Sequence, residues 1–461
     1  MAIVGAFMVP HPPMIVPEVG RGGEKQIEKT VRAYERVASE VAALRPETII
    51  ITSPHTVMYT DYFHISPGRS ATGSFSQFRA RDVRFTESYD TELIRAVKEI
   101  AQENAFPAGT QGERDAALDH GVMVPLYFIE KLYKDFKLVR IGLSGYPLTM
   151  HYQLGQILQQ AVQETGRRVV LIASGDLSHK LQSYGPYGFA PEGPQYDKRI
   201  MDVMGRGAFG ELFEFDETFC DRAAECGHRS FCIMAGAFDG QAVRAEMLSH
   251  EDVTGVGYGI CTFYPQGEDE TRYFLKEYLK KAKASLTKKR LEEDDYVRFA
   301  RKCVESYVLG DRITRVPEGL PEEMLIRAAG VFVSIHEHGR LRGCIGTILP
   351  VRRCIAEEIM SNAVSACAKD PRFDPVRPDE LPFLDINVDV LTSPEPIESK
   401  AELDVKKYGV IVSCGARRGL LLPDLDGVDT VDDQVDIAMR KGGISPTENY
   451  SLDRFEVIRH R

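Results

Sequence analysis

Thr48-Ile-Ile-Ile-Thr52 is a β-branched run without polar alternation. Such a run suits a strand covered on both faces, as found where helices pack on a parallel sheet. The residues before it supply a helix, with Ile27, Val31, Tyr34, Val37, Val41 and Leu44 at three- and four-residue spacing. Ahead of them, Ile3 to Val9 is a short apolar run. The alternation returns with Leu138–Ser144 as strand, Tyr152–Thr165 as helix and Arg168–Ser174 as strand. A hairpin-like pair, Ala242–Ser249 and Gly257–Tyr264, closes the region. The pattern predicts an α/β N-terminal domain over residues 1–267, with a mostly parallel sheet flanked by helices.

The composition then changes. Residues 271–290 carry eight Lys or Arg against one Glu, and Glu292-Glu-Asp-Asp295 follows at once. A charge run of this kind reads as a solvated helix face, so 268–292 is expected to be a charged helical linker. Residues 293–461 form a second unit. Tyr296–Leu309 is amphipathic, Val331–His336 and Gly339–Thr347 read as strands, and Ile355–Ala368 reads as a helix. Leu384–Leu391 alternates, with Asp385, Asn387 and Asp389 opposite Ile386, Val388 and Val390. This mixture predicts an α+β C-terminal domain with antiparallel strands.

The chain of 461 residues is long enough for two or three domains, each with a core. Its 57 basic and 68 acidic residues give a net charge of −11. Nucleic acid is therefore not an expected partner, because phosphate binding wants a basic face. No stretch approaches the ~20 apolar residues of a membrane span. The N-terminus lacks the basic start of a secretory signal. Nine cysteines, with no C-x-x-C spacing, suggest neither a disulfide framework nor a zinc finger. A reduced, cytoplasmic setting is the expectation.

The histidines carry the chemical information. His11 follows the first strand in Val9-Pro-His-Pro-Pro, and His55 follows the second in Ser53-Pro-His. His179 follows a third in Ser174-Gly-Asp-Leu-Ser-His179. Ligands of parallel α/β sheets collect beyond the carboxyl ends of the strands, so these three define a candidate site. His120, in Leu118-Asp-His-Gly121, and Glu225, in Ala223-Ala-Glu-Cys-Gly-His228, fit the same site. Two imidazoles and a carboxylate with open positions suit a non-haem Fe(II) oxygenase. The same ligands also suit a hydrolytic zinc site.

These five segments, in this order, resemble the catalytic chains of the class III extradiol ring-cleavage dioxygenase family over about residues 1–266. The resemblance implies that His11, His55 and Glu225 bind Fe(II). It further implies that His179 deprotonates a small catechol-like aromatic substrate while His120 assists oxygen chemistry and protonation. The Memo family shares the fold and resembles the same motifs, but with a cysteine in the Cys-Gly-x-His segment. This chain carries both Glu225 and Cys226 there. Neighbours on a helix point about 100° apart, so one of the two is expected to face the metal. Glu225 is the expected ligand and Cys226 the alternative, whose softer thiolate would favour zinc or copper.

Leu341-Arg-Gly-Cys-Ile-Gly-Thr347 resembles the signature of the AMMECR domain family, and the match extends over about 293–461. Ala368-Lys-Asp-Pro-Arg-Phe373, Lys407-Tyr-Gly409 and Gly419-Leu-Leu-Leu-Pro423 agree with it. Two glycines flanking Cys344 would let a backbone or ligand approach closely. Arg342 could clamp an anion. Cys344 could act as a nucleophile with His336 or His338 as its base, or simply pack. A chain joining the two domains resembles the AmmeMemoRadiSam family, whose name implies a separate radical S-adenosylmethionine partner protein. Three readings follow. They are an Fe(II) oxygenase, a Memo-like metal-binding module without ring cleavage, and a zinc hydrolase.

Overall fold

Three strands, Thr48–Ser53, Val169–Ser174 and Ile3–Val9, lie side by side and parallel in the computed structural model, with Val169–Ser174 in the middle. Residues 2–461 are described, apart from 312, 338 and 426. Every residue of Thr48–Ser53 and Val169–Ser174 is buried, as expected of strands covered by helices on both faces. Lys137–Gly142 extends the parallel set beyond Thr48–Ser53. On the other side Tyr258–Glu268 pairs antiparallel with Ile3–Val9 and then with Gln241–Glu251. The six-stranded sheet is thus mixed. The expected parallel order holds for four strands and ends at the hairpin, whose short connection can only reverse the chain.

Helix Glu28–Leu44 buries Tyr34, Val37 and Val41 as its spacing predicts, together with Ala33 and Ala38. Arg45 ends it in the left-handed region at φ 48°, donating its amide to the Val41 carbonyl. The chain re-enters the sheet at Thr48, directly below the strand end that carries His55. Outside the sheet, Ser70–Phe75 and Ala80–Ser88 pair as an antiparallel arm.

The chain divides into two compact units, Met1–Tyr278 and Leu279–Arg461, and the division falls inside the helix Phe274–Glu292. Leu275 is the buried residue of that helix, consistent with its charge-rich composition. In the second unit the sheet order is Arg340–Gly346, Val331–Glu337, Leu384–Leu391, Ser451–His460, Tyr408–Cys414 and Arg417–Leu421, and these neighbours pair antiparallel. Val331, Val333 and Ile335 share a core with Ile386, Val388 and Val390 and with helices Asp295–Val308 and Ile355–Ala368. A further cluster around Val410, Val412 and Ala438 seats helix Val431–Gly442 on the other end of the sheet. Among the described residues no helix is long and apolar enough to cross a membrane.

Candidate metal centre

The parallel register sets Val9 beside Ser174 and Thr52 beside Ala173, so three strand ends open at one level. Pro10 and Pro54 follow two of these ends and cannot donate to a ladder, which stops the strands and releases His11 and His55 above the sheet. The third member comes from helix His120–Ile129. Asp119 caps that helix by accepting from the Val122 amide. The same carboxylate accepts from Ser53 Oγ at 2.6 Å and Thr56 Oγ1 at 2.7 Å. One partly buried acid therefore ties the His55 loop to the His120 helix.

His11, His55 and His120 each offer a ring nitrogen, and these atoms lie within 4.8 Å of one another. The Nε2 atoms of His11 and His55 are 3.0 Å apart, and the His55 and His120 rings are 4.0 Å apart by centroid. Burial and mutual repulsion hold the three pKa values down, that of His120 to about 3. All three are thus neutral at pH 7, the form that binds a metal.

The tautomer of His11 follows from its neighbours. Ser174 Oγ donates to the Gly121 carbonyl at 2.6 Å, so its lone pair is what receives the His11 Nδ1 proton at 3.0 Å. Nε2 of His11 is left bare and faces His55. A neighbour that fixes the second ring nitrogen in this way is the usual support of a metal-ligating histidine. The donor set fits a divalent ion of the Zn, Fe or Cu kind.

The structure departs from the expected ligand set at Glu225. Its Oε2 accepts the His228 amide at 2.6 Å, at the start of helix His228–Gly236. Burial raises its pKa to about 7. Among the described residues Glu225 does not join the histidine group. Cys226 is likewise outside that group, with Sγ 3.7 Å from His11 Nε2. The physical reason lies in the backbone. Helix Glu217–Ala223 ends at Ala224, in the left-handed region at φ 53°, so residues 225 and 226 sit in a turn between two helices. Gly175 lets this turn approach, because a Cβ there would lie 2.1 Å from the Gly227 Cα.

Asp176, which the sequence reading did not single out, is the carboxylate at the site. Its Oδ1 accepts the His11 amide at 2.7 Å and its Oδ2 lies 4.0 Å from His11 Nε2. The available signal was its place, two residues past the strand end in Ser174-Gly-Asp. Burial raises its pKa, and the histidines around it oppose that rise. His179 Nδ1 donates to the Ala224 carbonyl at 2.6 Å, which leaves its Nε2 as a free base. The Tyr187 ring meets it edge-on at 5.1 Å and, like Tyr184 and Phe189, is exposed.

A cavity of about 840 Å³ borders His55 and His120. The arm Ser70–Ser88 overhangs it, and Phe78 at its tip meets the His120 ring edge-on at 5.5 Å.

In the second domain the two distinctive strings interlock. Asp370 accepts the Cys344 amide at 2.9 Å, and Arg372 donates to the Cys344 carbonyl at 3.2 Å and to Asp370 at 2.7 Å. Arg340–Gly346 is an edge strand, so these side chains satisfy main-chain groups that would otherwise be open. Arg342, expected to clamp an anion, holds the buried Glu380 instead, at 2.8 and 3.2 Å. A Cβ on Gly343 would lie 2.2 Å from the Ala366 carbonyl oxygen, and one on Gly346 would strike the Phe332 ring. Both glycines therefore serve packing within the domain. Cys344 Sγ accepts from Ser334 Oγ at 3.2 Å. His336 lies on the same strand as Ser334, two residues on, and His338 lies outside the described residues.

Fold and site together define an α/β domain with a histidine-rich centre that could hold a metal ion, followed by an antiparallel domain. Residues 5–261 match the family model of the catalytic LigB subunit of aromatic ring-opening dioxygenase, and residues 297–460 match AMMECR1. The chain belongs to the LigB ring-opening dioxygenase-like family and carries an AMMECR1 domain behind it. A protein of Clostridium acetobutylicum is 41% identical to it over the full length of both chains. A Thermotoga maritima protein is 48% identical over 171 residues, 37% of this chain and 98% of its own. A solved structure from Pyrococcus horikoshii, an uncharacterized protein, is similar over 36% of this chain and 88% of its own, with 29% identity and a TM-score of 0.34.

Proposed function

We propose that the first domain is a metal-dependent oxidoreductase of the extradiol ring-cleavage type, acting on a small catechol-like substrate. The observation that carries this reading is the convergence of three uncharged imidazoles, His11, His55 and His120, beside a cavity. A bound Fe(II) would supply Lewis acidity toward a substrate hydroxyl and redox exchange with O2. His179 is the base, because its Nδ1 proton is committed to Ala224 and its Nε2 can accept the hydroxyl proton. Asp176 stabilises the imidazolium that results, since the two attract each other. Phe78 and its arm line the cavity on the His120 side and give a substrate ring an aromatic wall. Anaerobic loading with Fe(II), followed by catechol and O2, tests the proposal. Oxygen uptake with a ring-opened product is expected, and it is lost in His179→Ala while the metal stays.

One observation favours a second reading. Cys226 Sγ lies 3.7 Å from His11 Nε2, where the Memo-like pattern expects a cysteine. A metal-binding module of that kind would hold its ion through Cys226 and turn over no catechol. Full metal occupancy without oxygen uptake would support it over ring cleavage.

A further inference from the structure

The segment that carries His179 leaves the sheet at Ser174, and each backbone amide along it is claimed by a different acceptor. Gly175 donates to the Val9 carbonyl, Asp176 to Cys226 Sγ, Leu177 to the Gly257 carbonyl and His179 to the Ala223 carbonyl. Ser178, the residue before His179, donates to Asp197 Oδ1 at 2.9 Å. Asp197 is the one carboxylate in this series, and an ionised acceptor makes the strongest of these bonds. It reaches Ser178 from the helix Glu192–Arg206, whose first turn packs closely on the segment. A Cβ on Gly193 would come within 2.8 Å of Ser178 Oγ. Gly257 leaves room for the carboxylate, since a Cβ there would lie 2.0 Å from Asp197 Oδ2. Asp197 is almost wholly buried, which raises its pKa, and His250 opposes that rise by donating Nε2–H to Oδ2 at 2.7 Å. Ser178 Oγ in turn donates at 2.7 Å to the Ala223 carbonyl, next to the Ala224 carbonyl that holds the His179 ring. Asp197 and His250 belong neither to the histidine group nor to the wall of the cavity beside it.

We propose that Asp197 is a positioning residue for His179: its carboxylate, held by His250, fixes the Ser178 amide so that His179 keeps Nδ1–H on the Ala224 carbonyl and Nε2 free. The proposal rests on the reading of His179 as a base and adds what aims it. Without Asp197 the fully buried Ser178 amide loses its acceptor, and the segment must shift to find another. Displacements of about 1 Å are enough to spoil a proton transfer.

The test reads the His179 ring directly, by long-range proton–nitrogen spectra of the metal-free full chain with labelled histidine under mildly alkaline conditions. The His179 signal is assigned through His179→Ala. The unaltered chain should show one tautomer, with the proton on Nδ1, and in Asp197→Ala the Nε2–H form should appear beside it. Asp197→Asn keeps an oxygen for the Ser178 amide and should restore the single tautomer. Asp90→Ala removes another buried acid, one that accepts from Thr48 Oγ1 at the far end of the strands, and should leave the His179 signal unmoved. With Fe(II), catechol and O2, Asp197→Ala should lower kcat at least about tenfold with KM little changed. A single Nδ1–H tautomer in Asp197→Ala, or a loss that Asp197→Asn does not restore, would overturn the role of Asp197. If Asp197→Ala does not fold, Asp197→Ser, whose hydroxyl stops short of the Ser178 amide, takes its place. An unaltered chain with the fixed tautomer but no catechol turnover would instead overturn the ring-cleavage reading, and the spectra alone then decide the role of Asp197.

Discussion

The Nε2 atoms of His11 and His55 face each other at 3.0 Å. Because Ser174 fixes the His11 proton on Nδ1, the hydrogen between the two rings belongs to His55, which donates it to His11. For both rings to bind one ion, that hydrogen has to move to Nδ1 of His55, after which the two Nε2 lone pairs face a common point. Because the rings are already neutral at pH 7, loading through the histidines alone should release almost no proton, as a pH-stat titration would show.

Replacing either histidine removes half of this arrangement. Outer partners of a metal ligand alone are worth about ten- to a hundredfold in affinity, so loss of a ligand should cost more than about a hundredfold. His11→Ala and His55→Ala should each leave the purified chain with little bound metal by elemental analysis. Stoichiometric metal in both would show that the ion sits elsewhere.

Glu225 and Cys226 bear differently on the two readings. Glu225→Gln keeps a side chain that can accept the His228 amide, and it should leave metal content unchanged. Cys226→Ser should leave metal binding nearly unchanged under the ring-cleavage reading and weaken it under the second reading, in which the thiol 3.7 Å from His11 Nε2 is a ligand. Metal affinity measured by competition with a chelator checks both. If Glu225→Gln loses the ion and Cys226→Ser keeps it, the carboxylate is the ligand after all.

His228 supplies a stability prediction. Burial lowers its pKa from 6.5 to about 4, so it stays neutral in the fold while the unfolded chain takes up a proton below pH 6.5. The stability it contributes is present above pH 6.5 and is lost as the pH falls toward 4. Between pH 7 and 5 the loss is about 2 kcal/mol. His11, His55 and His120, whose pKa values are also lowered, act in the same direction. Denaturant titrations of the metal-free chain should show first-domain stability falling over that range. His228→Gln should be less stable throughout but less pH-dependent, by about 2 kcal/mol.

Asp370 should matter more to the second domain than Cys344 does. Arg372 holds its carboxyl well below the usual range, and the charged group takes the Cys344 amide. Asp370→Asn weakens these charge-assisted bonds and should cost about 1–3 kcal/mol. Amide exchange along Arg340–Gly346 should quicken. Cys344→Ala, which loses mainly a contact with Ser334, should leave that exchange nearly unchanged.

Much of the first domain was legible because apolar runs and strand-end prolines are local signals. Ile3–Val9, Thr48–Ser53 and Val169–Ser174 are read directly from the sequence, and so is the placing of His11 and His55 beyond their ends. The ranking of Glu225 over Cys226 was not legible. The ranking rested on ligand chemistry, and the expectation that one of the two faces the metal on helical geometry, whereas the left-handed Ala224 puts both residues in a turn. Asp176 was overlooked because its role depends on contact with the His11 amide, 165 residues away in sequence. The pairing of His250 with the buried Asp197 at 2.7 Å, 53 residues apart in sequence, leaves no local signal either. In the second domain the two strings were recognisable, but their mutual bonding across an edge strand leaves no local trace.

Cys226 lies 215 residues downstream of His11. Chains leave the ribosome N-terminus first. A nascent polypeptide that has already released both proline-flanked loops has still to synthesise the turn that faces them. An ion captured at that stage would meet imidazoles alone. The approach of Cys226 to His11 thus waits on translation itself. A message cut short before Gly227 would yield a product with every parallel strand in hand and an unfinished cradle.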